Sequence, residues 1–180
     1  RYFTIGNTGT GQVLRVIWLD NVRFMAEYHV NPSTNQVFVV DSETGETLAS
    51  YAGTQFQILS GGRILYVANV PHGFSDEAFY SVAVDGETLY TSPDKAKPII
   101  ELFVFANGTK LAVLEGYRER DKAEPALTVG VLDGNAFTVL TRNALPEGNW
   151  RLGEDGAGHL RVTDGKTAYT LDESGRLRAE

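Results

Sequence analysis

The segment VPHGFSDEAF sets His72 beside Phe74, Asp76 and Glu77, an imidazole and two carboxylates within six residues. Such a group offers a metal site or an acid/base pair. Metals, however, need three or four ligands. The other two histidines, His29 and His159, lie far away in sequence. A three-histidine site would require all three to meet in space. A solvated polar loop is therefore the favoured reading of His72, and no metal or cofactor is expected.

A second group is GYRERDKAEP at 116–125, where Arg118, Arg120 and Lys122 alternate with Glu119, Asp121 and Glu124. Alternating charge of this kind suits a solvated loop. Its arginines also suit an anionic ligand or a partner protein, and Tyr117 would supply an aromatic anchor. His72, Phe74, Asp76, Tyr117, Arg118 and Arg120 are thus the candidate ligand- or partner-binding residues. Trp150 could serve as an anchor too, but packing inside the core is the better expectation for it and for Trp18.

Other chemistries find less support. The turns DSETGE and DGE carry acidic residues, yet no alternating D-x-D-x-D-G run follows, so they read as turns rather than calcium loops. No G-x-S-x-G surrounds any serine, and no phosphate-cradling glycine pattern opens a helix. No catalytic residue is expected. The competing enzyme reading is a carbohydrate-active hydrolase or lyase with clustered carboxylates, for which Asp76, Glu77 and Glu119 are candidates in name. Paired carboxylates act only within about 5–10 Å of each other, a distance that no sequence supplies.

Whole-chain properties narrow the field. A net charge of −7 with a pI near 5.0 weighs against nucleic acid and anionic membrane surfaces. The absence of cysteine removes disulfides and thiolate chemistry. No run approaches the ~20 apolar residues of a membrane span, so no direct membrane insertion is expected. The chain opens on Arg1 and shows no signal peptide, which fits a processed protein or an excised segment equally. An extracytoplasmic location, periplasmic or cell-surface as for exported bacterial domains, is the expectation. A cytoplasmic one stays open.

What must position these groups is a set of short strands. Helical periodicity is nearly absent, and β-rich runs of four to eight residues are broken by Gly, Asn and Asp. One hairpin recurs, as VFVVDSETGETLAS, SVAVDGETLYTS, VGVLDGNAFTVLTR and AYTLDESGRLRAE. Its turn aspartates, Asp41, Asp85, Asp133 and Asp172, are 44, 48 and 39 residues apart. A propeller blade takes about 40–50 residues. A second marker precedes each hairpin: DNVRFMAEY, SGGRILYVAN, ANGTKLAVLEG and GAGHLRVTD. The predicted fold is all-β, a small propeller-like array of about four four-stranded antiparallel blades at 12–51, 55–91, 99–142 and 149–179. It forms one repeat domain, either whole or part of a longer protein. Tyr2–Ile5 would add an outer strand that closes the ring or, equally, the last strand of a preceding blade in a longer protein.

The stretch SGGRILYVAN, followed by FYSVAVDGETLYTS, resembles a YVTN-type propeller repeat, in which a D/G-G-x-x-L-Y-V-x-N strand precedes V-x-V-I-D and T-G-x-x-x-A-x strands. VFVVDSETGETLASY carries the second half again, so the resemblance is strongest over 36–51 and 60–91. It implies a propeller that mostly binds or scaffolds, with no catalytic residues to carry over.

With strands a to d in each unit, the a–b and c–d turns read as tight hairpins. The b–c connections Val30–Asn35, Asn69–Glu77, Gly116–Pro125 and Asp164–Lys166 read as longer, and with the d–a links they share one end of the meander. Long loops on a rigid scaffold carry binding groups. The expected function is a non-enzymatic binding or sensor module for a protein or small molecule. A structural repeat segment of a larger protein is the remaining alternative.

Overall fold

A computed structural model describes residues 12–31, 34–69, 79–94, 97–116, 124–172 and 175–180. Among these the protein is all-β, with antiparallel sheets and no α-helix. Tyr2–Ile5 lies outside the described residues.

The strands are β1 (Gln12–Trp18), β2 (Arg23–Asn31), β3 (Thr34–Asp41), β4 (Thr47–Ile58), β5 (Ile64–Ala68), β6 (Ser81–Val84), β7 (Glu87–Thr91), β8 (Ile99–Phe105), β9 (Lys110–Glu115), β10 (Ala126–Asp133), β11 (Ala136–Ala144), β12 (Arg151–Glu154), β13 (Leu160–Thr163), β14 (Ala168–Leu171) and β15 (Leu177–Ala179). They form a seven-stranded sheet β1 to β7 and two four-stranded sheets, β8 to β11 and β12 to β15, each paired in sequence order. The chain folds as two compact units, residues 1–78 with 82–88, and residues 79–81 with 89–180.

Local chemistry explains the turns. Asp41 Oδ1 accepts the backbone N–H groups of Glu43 and Thr44, both at 2.8 Å, which makes DSETGE an Asx turn rather than a cation loop. Asp20, Asp155 and Asp164 accept backbone N–H groups in the same way. Those bonds favour the charged carboxylate and hold all four aspartates below their ordinary pKa. All four repeated hairpins form, as β3–β4, β6–β7, β10–β11 and β14–β15.

The seven-stranded sheet departs from the sequence expectation of separate strands at its first joint. β4 is one strand of 12 residues that pairs with β3 through Thr47–Gly53 and with β5 through Gly53–Ile58. A bulge between Thr54 and Gln57, with Gln55 at φ 57°, bends it. The bend brings Met25, Val37 and Val39 of the first half into one core with Phe56, Ile64, Tyr66 and Ala83 of the second. Tyr66 stacks between Tyr51 and Phe56, with ring centroids 5.4 and 5.1 Å away. In the other unit, Phe105, Ala112, Leu114, Leu127 and Val129 pack against Leu145, Trp150, Leu160 and Val162.

Three expectations are corrected. Trp18 is 61% exposed on edge strand β1, resting only one side against Phe24; it is not core. The Val30–Asn35 connection is short, because β2 runs to Asn31 and β3 starts at Thr34, with those two residues paired. The Asp164–Lys166 connection is likewise a tight turn, closed by the side chain of Asp164. Trp150, by contrast, is buried, its Nε1 donating to the Pro146 carbonyl at 2.7 Å.

Gly53 is the point where both pairings of β4 meet. A Cβ there would sit 2.2 Å from the Val67 carbonyl oxygen and 2.8 Å from Tyr66 Cδ2. Gly53→Ala is expected to lower unfolding free energy by about 2 kcal/mol, as overpacking against backbone does. Gly153→Ala, where a Cβ meets nothing within 4 Å, is expected to change it by less than about 0.5 kcal/mol. Urea denaturation of the two variants checks the pair.

Candidate functional site

Two buried carboxylates stand out, one in each unit, and each sits on the second strand of its meander, Glu27 at the middle of β2 and Glu115 at the end of β9. Glu115, the last residue of β9, is 0% exposed. It falls on the strand face of Leu111 and Val113, while Ala112 and Leu114 face the other way into the core. A charge in such a position must be paired. Tyr90 of β7 donates its hydroxyl to Glu115 Oε1 at 2.6 Å. Arg142 of β11 donates Nη2 and Nε to Oε2 at 2.7 and 3.3 Å. The Tyr90 hydroxyl also lies 3.2 Å from Thr128 Oγ1 of β10. One carboxylate therefore ties four strands together.

Burial, and then the bond its proton makes to Glu115, push the Tyr90 phenol up to about 12. The Arg142 guanidinium is raised in turn, with the Glu115 bond and charge outweighing the desolvation that acts first on it. Its side chain remains 37% exposed, so one edge of the guanidinium faces solvent.

Glu27 of β2 is 5% exposed and shares its strand face with Met25. Arg15 of β1 donates Nε to its Oε2 at 2.5 Å and Nη2 to the Phe56 carbonyl at 2.5 Å. Asn35 donates to Oε1 at 2.7 Å, and its own Oδ1 lies 3.2 Å from His29 Nδ1. Nearby in sequence, buried Thr34 accepts a hydrogen bond from the Asn69 side chain.

The six residues singled out from sequence are outside the described region: His72, Phe74 and Asp76 fall in 70–78, and Tyr117, Arg118 and Arg120 in 117–123. What the structure does place is the base of each segment. Asn69 is held by Thr34 just before the first. Glu115 and Gly116 stand just before the second, with the Gly116 N–H bonded to the Pro98 carbonyl at 2.9 Å. Of the other histidines, His29 lies against Asn35, and His159 Nδ1 lies 3.0 Å from Asp155 Oδ2. Among the described residues no three His, Asp or Glu side chains gather as metal ligands, and no helix is long and apolar enough to cross a membrane.

Sequence reasoning passed over Glu27 and Glu115. The available signal was a charge at an apolar period-2 position, in FMAEY and LAVLE. Their partners come from other strands, and no spacing in the chain announces them. No protein-family model and no curated protein matches the sequence.

Tyr90→Phe removes the hydroxyl from this network and is expected to cost about 1.5–3 kcal/mol, the range for hydrogen bonds to charged groups. The sign with pH follows from the raised phenol. An unfolded tyrosine ionises near about 10, so the contribution of Tyr90 is whole below that pH and lost as pH rises through about 12. Stability against denaturant, followed from neutral pH to beyond 11, should fall less steeply in Tyr90→Phe than in the wild type. Tyr66, also raised to about 12, accounts for part of the remaining fall.

Proposed function

We propose that the chain is a non-enzymatic module that binds a protein or small-molecule ligand, built as a propeller-like array of four-stranded antiparallel blades. The observation that carries this reading is the state of its two buried carboxylates. Both oxygens of Glu27 and both of Glu115 are taken by fixed donors. Carboxylates engaged in that way are suited to locking strands together. Glu115 does so one residue before Gly116, where the charged loop begins, so that loop leaves from a rigid base. Rigid scaffolds that present loops bind.

Support for the blade arrangement comes from within each unit. Four meanders of four strands follow one another if β4 is counted as the last strand of one and the first of the next. Arg15 of β1 reaches Phe56 at the far half of β4, and Ala106 at the end of β8 meets Glu154 of β12. In both cases first strands of successive meanders are neighbours, as the inner strands of adjacent blades are. An extracytoplasmic location belongs to the same proposal.

Selection of binders from a displayed peptide library against the immobilised chain tests it. Binders should lose on the order of 30-fold in affinity, the size of a hot-spot truncation, when His72, Phe74 and Asp76, or Tyr117, Arg118 and Arg120, are changed together to alanine. Unchanged binding by both triple variants contradicts the placement. Turnover of a panel of oligosaccharides by the wild type would favour the hydrolase instead.

A further inference from the structure

We propose that Asn107 is a site of spontaneous deamidation, and that its modification loosens the packing of the β8–β11 sheet on the β12–β15 sheet. Asn107–Gly108 is the single Asn-Gly pair in the sequence. It forms the turn between β8 and β9, with both residues exposed. A Cβ built on Gly108 would meet nothing within 4 Å, so water reaches the peptide bond freely.

The chemistry needs only water. The Gly108 amide nitrogen gives up its proton to solvent and bonds to Cγ of Asn107. The bond from Cγ to the carboxamide nitrogen breaks and ammonia leaves, which closes a five-membered imide. Water then opens the ring. Cleavage of the bond at Cγ yields aspartate in the normal chain, while cleavage at the main-chain carbonyl yields isoaspartate, with the chain rerouted through Cγ. One water is consumed, one ammonia is released, and one negative charge appears.

Three features single out this asparagine. First, the attacking nitrogen belongs to a glycine, so no side chain hinders ring closure. Asn35, Asn69 and Asn143 are followed by glutamine, valine and alanine. Second, those three carboxamides are held, by Glu27, by Thr34, and by Thr141 with the Gly175 carbonyl. Among the described residues, no hydrogen bond engages the side chain of Asn107. Third, the turn is strained. Ala106 stands at φ 52°, a conformation that its Cβ disfavours, while Asn107 at φ 55° takes the left-handed place that an Asn-Gly turn allows. Opening the turn to the geometry of attack relieves that strain.

The consequence is local and directional. Phe105, two residues before Asn107, is buried in the core that joins the two sheets. The Ala106 N–H points at Glu154 Oε1 of β12, 3.4 Å away. A new carboxylate on the adjacent residue repels Glu154, and an isoaspartate adds a methylene to the main chain of a turn closed by the Thr109 N–H on the Ala106 carbonyl.

The experiment ages the purified chain at mildly alkaline pH and follows each asparagine by peptide mass spectrometry, with enzymatic methylation to mark isoaspartate. Asn107 should convert about tenfold faster than Asn35, Asn69 and Asn143, the ratio expected of a turn that opens ~1.4 kcal/mol more easily. The aged chain should accept methyl groups and melt lower than fresh chain, while Asn107→Gln aged in parallel does neither. If Asn107 keeps its amide as long as the three held asparagines, or the aged chain carries no isoaspartate, the proposal is overturned. The site-resolved kinetics need no variant, so they decide even if Asn107→Gln folds poorly.

Discussion

The apolar faces of small antiparallel sheets must be covered by other sheets, and the rest of the structure follows from that constraint. Three or four short strands cannot bury a core alone. Leu114, Leu127 and Val129 on one sheet therefore meet Trp150, Leu160 and Val162 on the next. Each fully buried side chain of this kind contributes about 1.5–3 kcal/mol over leaving it in water. Central strands are covered on both faces, which is why β9 and β10 read as nearly unbroken apolar runs rather than alternating ones. The first unit meets the same demand by bending one long strand, so that a single sheet folds over its own apolar face.

That covering makes buried charge expensive and defines what Glu27 and Glu115 can be. Buried carboxylates in such surroundings need partners, and each has two strong donors. The partners come from other strands: Arg142 and Tyr90, far along the chain, for Glu115, and Arg15, directly opposite on the neighbouring strand β1, for Glu27. Each carboxylate thus acts as a cross-strand tie on the second strand of its meander, and the charged stretch GYRERDKAEP begins directly after Glu115. A rigid base under variable loops is the physical form of a recognition surface.

Much of this was legible from the residues and some was not. The repeated hairpins were, because an aspartate that caps its own turn needs only local chain, as at Asp41. The strands themselves were legible from runs such as ILYVA and IIELFVF. The continuity of β4 was not, since Gly53 looks like a break and acts as a close contact between three strands. Gln55 carries no mark of the left-handed conformation it adopts. Trp18 was misjudged because size and aromaticity predict burial on average, while its place on an edge strand leaves one face uncovered. The Glu115 cluster was hidden for a different reason: its members are 25 and 27 residues from the glutamate, Arg142 two strands away in the same sheet and Tyr90 on a strand of another sheet.

Mutual covering of the sheets implies that they open together, and native-state hydrogen exchange resolved by residue measures this most directly. If the face between them holds both in place, amides of β9, β10 and β13 share one opening free energy and respond equally to denaturant. Exchange of the β13 amides through a separate opening of clearly lower energy, with β9 and β10 still protected, would contradict the account.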